Sequence, residues 1–233
     1  MIKQIWRQRW VFFLVTVALA VAVNGLVSVR PAVAESESAP LPEVESEPEP
    51  ILVNKAQPLP ADYVPLDLRP VDIQFAFAGD SPKRLLSAEA AAALEELFQA
   101  AQADGVELVG VSGYRSYERQ AEIFAANVRC YGSEEAANRV SARPGESEHQ
   151  TGLAMDVSSP SVQNQLVEQL AETAAGRWLA ANAADFGFII RYPEGKERIT
   201  GYQYEPWHLR FVGRTHALQI VGQNLTLEEY LAG

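Results

Sequence analysis

Cysteine is almost absent from this sequence: Cys130 stands alone. That excludes an intrachain disulfide and a thiolate metal cluster. Its place in N-V-R-C-Y-G, at the end of a helical pattern, predicts a small packing residue and not a nucleophile. Histidine is nearly as scarce, at three. Positive charge is short as well: 19 Lys and Arg stand against 30 Asp and Glu, for a net charge of -11. Nucleic acid is therefore a poor partner, because such binding rests on cations that neutralise phosphates. The apolar run from Trp10 to Val23 is shorter than the roughly 20 residues a membrane span needs.

What is present begins with an address. Lys3, Arg7 and Arg9 precede the apolar run, and Ala32-Val33-Ala34 offers small residues where a signal peptidase reads. Residues 1–34 are expected to be a secretory signal; if uncut, they would tether the protein to a membrane. Either way the remainder is expected to work outside the cytoplasm, in the periplasm or cell envelope. Six glutamates between Glu35 and Glu49, interleaved with proline, predict a disordered acidic linker over 35–50, since like charges repel and proline removes backbone donors.

The folded part is expected over 51–233. Pro58, Pro60 and Pro65 predict an extended arm wrapped on the surface. Leu94, Leu97, Phe98 and Ala101 have the spacing of a buried helix face opening at Ser87 and stopping at Gly105. Glu107 to Val111 reads as a strand, and Ser116 can cap a helix carrying Ala121, Phe124, Ala125 and Val128 on one face. A further short helix is expected over 133–140. A helical region is expected over 162–185, interrupted near Gly176. Leu153 to Val157, Phe188 to Tyr192 and Trp207 to Val212 read as strands, with helices from Arg214 and in T-L-E-E-Y-L. Short strands mixed irregularly with helices predict an α+β fold.

Two strands carry polar residues on one face. In A-M-D-V, Asp156 points away from Met155 and Val157; in W-H-L-R-F, His208 and Arg210 point away from Trp207, Leu209 and Phe211. If the strands are antiparallel neighbours, Asp156 and His208 share a face, and His149 in the entering loop closes a triangle. Two imidazoles and one carboxylate leave a fourth tetrahedral position for water, as in catalytic zinc sites. Glu205, three residues before His208, is placed to act as base towards that water. Arg115, in a turn after a strand, could stabilise an oxyanion or clamp a substrate carboxylate. His216 and Trp207 are expected to be structural, Trp207 as core or pocket wall.

These residues resemble the VanY-type D-alanyl-D-alanine carboxypeptidases, within the zinc peptidases that include lysostaphin-like enzymes and the hedgehog domain. The likeness rests on S-x-H-x-x-G-x-A-x-D at Ser147 to Asp156 and E-P-W-H at Glu205 to His208. It extends through N-K-A-Q-P-L-P, S-G-Y-R-S-Y-E-R-Q, F-G-F-I-I-R-Y-P and T-G-Y-Q-Y, about residues 51 to 231. It implies one small domain whose central antiparallel sheet carries one Zn2+ on His149, Asp156 and His208. It further implies Glu205 as base and then acid, Arg115 at the scissile carbonyl, and Gln120, Ser147 and Tyr192 along the substrate cleft. The implied substrate is the peptidoglycan stem peptide, cut at its terminal D-alanine. Gln57 stands where relatives often carry histidine. L,D-carboxypeptidase or endopeptidase cleavage stays open within the family. A non-catalytic zinc-containing wall-binding module and a structural envelope protein are the readings from other classes.

Overall fold

Proline sets the path of the first described segment. The computed structural model describes residues 47–233, so the expected signal and all but the last four residues of the acidic linker lie outside the described residues. The arm of residues 47–67 runs extended across the surface: Leu59 N–H donates to the Gly145 carbonyl, and Gln150 Nε2 donates to the carbonyls of Pro60 and Tyr63. Residues 47–50 lie on the domain, where the Glu47 carboxylate accepts from the backbone N–H groups of Arg214 and Thr215. That is a helix N-terminus, where a carboxylate is favoured. The arm then enters an antiparallel pair, β1 (Leu68–Pro70) and β2 (Leu85–Ser87).

Helix α1 (Ala88–Ala103) buries Ala90, Leu94, Leu97 and Ala101, the face its periodicity predicts, while Phe98 is only partly covered. Ser87 precedes it, but Asp67 supplies the cap, its Oδ2 accepting from Ala88 N–H at 3.0 Å. After β3 (Val109–Ser112), α2 (Tyr117–Tyr131) is capped by Ser116 Oγ, and α3 (Glu134–Ala137) by Ser133. Next come β4 (Ala154–Ser158), α4 (Ala174–Asn182), β5 (Phe188–Ile190), α5 (Glu197–Thr200), β6 (His208–Phe211), α6 (Arg214–Gly222) and α7 (Leu227–Leu231).

Four of these strands form one antiparallel sheet in the order β3-β4-β6-β5. One face carries Met155, Val157, Leu209, Phe211 and Phe188 onto α1 and Leu179 of α4, the main core. Each such fully buried side chain contributes roughly 1.5–3 kcal/mol. On the opposite face, Ile189 packs with Ala217 and Ile220 of α6 and Leu227 of α7. Between that second apolar cluster and α2, the same face holds Asp156, His208 and Arg210. The fold is α+β, as the strand and helix mixture predicts.

Two local expectations change. The region 162–185 is not one interrupted helix: turns at Pro160–Val162 and Glu168–Glu172 precede α4, whose cap is Thr173. Gly176 lies inside α4 and does not break it; a Cβ there would collide with the Leu170 carbonyl, so glycine serves close packing. Cys130 is exposed and not packed, because α2 buries Gln120 and Phe124 instead.

Candidate active site

The register decides which polar residues meet. Asp156 of β4 pairs directly with His208 of β6 and, on its other side, with Ser112 of β3. His149 arrives from the short turn Glu148–Thr151, which ends at Gly152 in the left-handed conformation (φ 69°). A Cβ on Gly152 would lie 2.8 Å from Leu68 Cδ2, and its carbonyl accepts from Ser87 N–H, so this bend seats the turn against the β1–β2 pair. His149 Nε2 lies 3.3 Å from Asp156 Oδ2, and His208 Nδ1 lies 3.0 Å from Asp156 Oδ1. All three residues are buried, and one donor atom from each falls within 4.8 Å of the others. Tetrahedral zinc ligands at 2.0–2.1 Å stand roughly 3.3–3.4 Å apart, so the donor set and its spacing fit that ion.

Hydrogen bonds fix which nitrogen each ring presents. His149 Nδ1 donates to the Gly113 carbonyl at 2.8 Å, leaving Nε2 free to coordinate. His208 faces Asp156 with Nδ1, while its Nε2 stands 3.4 Å from Glu148 Oε2. Burial holds the His149 imidazole below its ordinary pKa. For His208, burial opposes charge, but the hydrogen bonds it donates to Asp156 and Glu148 outweigh it and push the group up to about 9. Asp156 remains ionised well below the usual carboxylate range: burial opposes this, and the two histidines overcome it.

Glu148 is the residue that motif reading missed. It is 1% exposed and accepts from Arg191 Nε at 2.7 Å and Arg210 Nη1 at 2.6 Å, both arginines being 0% exposed. Removing one partner from such a buried set typically costs about 3–5 kcal/mol, because a desolvated charge is left alone. Its signal in the sequence was Arg210, a charged residue on a strand face that proves fully buried.

The triad opens into a cleft of about 480 Å³. Arg115, Ser147, Tyr192 and Glu205 all line it, as does Trp207, the expected pocket wall. Glu205 starts a tight E-P-W-H turn: its carbonyl accepts from His208 N–H at 3.1 Å, and Pro206 sits where a turn favours proline. Its own N–H donates to the Tyr192 carbonyl, tying the turn to the chain after β5. Burial, assisted by the charges of Asp156 and Glu148, pushes the Glu205 carboxyl up to about 7. The Tyr192 ring centroid is 5.0 Å from that of His208.

Gln120 is buried. It stands behind Arg115 and is not among the cleft-lining residues. Its Oε1 accepts from Arg115 Nη1 at 2.8 Å, and its Nε2 donates to the Ala142 carbonyl at 2.6 Å. With both ends of the amide engaged, Gln120 ties Arg115 to the chain at Ala142. Ser112 Oγ accepts the guanidinium's other arm at 3.2 Å. Burial lowers the Arg115 pKa from its ordinary value. His216 is structural, bonded through Nδ1 to the Tyr230 hydroxyl, and Gln57 lies in the exposed Asn54–Gln57 turn.

Fold and donors together define an α+β domain with a candidate His–Asp–His metal centre at the floor of a cleft. A family model described as VanY, D-alanyl-D-alanine carboxypeptidase, matches residues 83–214, and the chain belongs to this family. A D-alanyl-D-alanine carboxypeptidase of Enterococcus faecalis is 39% identical over 189 residues, covering 78% of this chain and 65% of that protein. The chain thus spans just under two thirds of that relative's length. The solved LdcB LD-carboxypeptidase is 52% identical, with a TM-score of 0.75 over 78% of this chain and 84% of its own. A vancomycin-resistance D,D-pentapeptidase, VanY, in complex with Zn(II) is 38% identical, with a TM-score of 0.65 over 78% and 97%.

Proposed function

We propose that this protein is a zinc-dependent carboxypeptidase that removes the terminal D-alanine from peptidoglycan stem peptides, with D-Ala-D-Ala ends as its substrate. The observation that carries this reading is the cleft itself: a buried His149–Asp156–His208 donor set shares it with the Glu205 carboxyl and the Arg115 guanidinium. A bound zinc ion lowers the pKa of water from about 16 towards 7 and polarises a carbonyl oxygen. Glu205, at the cleft beside the three ligands, takes the proton from the attacking water and delivers it to the departing amine nitrogen. The C–N bond breaks as that nitrogen becomes an amine, and the water oxygen stays on the new carboxylate. Arg115, held in place by Gln120 and Ser112, donates to the negative charge developing on the carbonyl oxygen.

A second reading, L,D cleavage of a tetrapeptide stem, is favoured by one observation: identity to the LD-carboxypeptidase is 52%, against 38% to the D,D-pentapeptidase. Digestion of purified pentapeptide and tetrapeptide muropeptides, followed by mass measurement, separates the two. Loss of one alanine from the pentapeptide alone supports D,D specificity; loss from the tetrapeptide alone supports L,D. Release from neither sinks the carboxypeptidase reading. Export through the N-terminal signal, with or without retention as a membrane tether, would bring such an enzyme to its wall substrate.

A further inference from the structure

Three charged side chains with almost no solvent exposure stand beside the metal site, Glu148 at the wall of the cleft with Arg191 and Arg210 behind it, and the hydrolytic chemistry uses none of them. Glu148 Oε1 accepts from both Arg191 Nε and Arg210 Nη1, while Glu148 Oε2 faces His208 Nε2. The arginines are anchored in turn. Arg191 forms a two-point bond to Glu228 of α7, at 2.8 and 2.6 Å. Arg210 Nη2 donates to the Ile51 carbonyl of the arm at 2.7 Å, and its Nε to the Phe211 carbonyl at 3.0 Å. Asn54, also in the arm, donates to Glu228 Oε1 at 3.3 Å. A continuous set of charge-assisted bonds therefore runs from His208 to the C-terminal helix and to the segment that leads in from the N-terminus.

We propose that Glu148 is a positioning residue for the metal site, and that Arg191, Arg210 and Glu228 hold it in register. The proposal rests on the zinc reading above. Glu148 accepts a hydrogen bond from His208 Nε2–H, which holds the ring with Nδ1 towards Asp156, so that Nδ1 is the nitrogen left to the metal once its own proton is lost. Two guanidiniums on one oxygen keep the carboxylate ionised and immobile, so its other oxygen stays aimed at the ring. Partners of this kind typically change metal affinity by roughly 10- to 100-fold when replaced. Glu228 acts one step further out, so its effect is smaller. Metal affinity in this protein is thereby tied to the docking of α7 and of the arm.

The test compares zinc affinity, by chelator competition, and the His208 Nε2–H proton signal in NMR, for wild type, Glu148→Gln and Glu228→Gln. Glu148→Gln is expected to weaken zinc binding by roughly 10- to 100-fold and move that proton signal upfield as the charged acceptor is lost. Glu228→Gln is expected to move both readouts in the same direction by less. Unchanged affinity and an unchanged signal in a folded Glu148→Gln protein would overturn the proposal. If Glu148→Gln does not fold, Glu228→Gln decides, and its failing to move either readout overturns it equally. Wild-type protein that takes up no zinc would overturn the zinc reading itself, a result distinct from zinc-loaded wild type with silent variants.

Discussion

Asp156 and His208 face each other across neighbouring strands, paired in register, with Oδ1 and Nδ1 3.0 Å apart. Asp156 also reaches His149 through its second oxygen, at 3.3 Å, so one carboxylate links the two imidazoles. Asp156→Ala should therefore cost the metal before it costs the fold. If a zinc site of about 10 kcal/mol is shared among three ligands, losing one removes about 3 kcal/mol, roughly a hundredfold in affinity. Metal analysis after gel filtration checks this: near-stoichiometric zinc in the variant would remove Asp156 from the ligand set.

Glu205 separates catalysis from metal binding. It lines the cleft with the triad, in the turn before His208, and is not one of the three candidate ligands. Glu205→Gln keeps the shape and removes the proton acceptor. Turnover is expected to fall by roughly 10²- to 10⁴-fold, with zinc content unchanged. A variant retaining full turnover would assign the proton transfer elsewhere; one retaining activity on no substrate but losing zinc would make Glu205 a ligand.

The meeting of His149, Asp156 and His208 was legible because strand alternation is local: the placement of Asp156 and His208 on one face follows from period-two geometry, and the antiparallel register then does the rest. The bond between Arg115 and Gln120 was not legible, because it depends on where α2 lies relative to β3, which no spacing within S-G-Y-R-S-Y-E-R-Q encodes. Glu148 was missed for a related reason. Its partners Arg191, Arg210 and Glu228 come from three distant segments, and a charged residue beside a ligand reads locally as a solvated turn. The long helical pattern over 162–185 failed because apolar spacing cannot report the close packing of Gly176 on Leu170.

Metal binding should release about one proton at pH 7. The sign follows from the three ligands. His208, raised to about 9, is an imidazolium in the metal-free protein at that pH and must lose its proton to coordinate. His149, lowered by burial, is already neutral, and Asp156 is already ionised. Apparent zinc affinity should therefore rise with pH from 7 and level off near 9. Calorimetric titration in buffers of differing ionisation enthalpy counts the protons directly; a count near zero would mean His208 is neutral before metal arrives.

Gln120 and Arg115 offer a test of action through another residue. The Gln120 amide joins Arg115 to the Ala142 carbonyl, and the guanidinium alone reaches the cleft. Arg115→Ala should reduce kcat by roughly 10²- to 10³-fold, the scale for loss of one oxyanion donor. Gln120→Ala should reduce kcat less, because Ser112 still holds one arm of the guanidinium. If Gln120 works only by aiming Arg115, the double variant should be no slower than Arg115→Ala alone, since the two losses are one loss. Additive defects would instead give Gln120 a substrate contact of its own, restoring the role that its place in the family motif suggests.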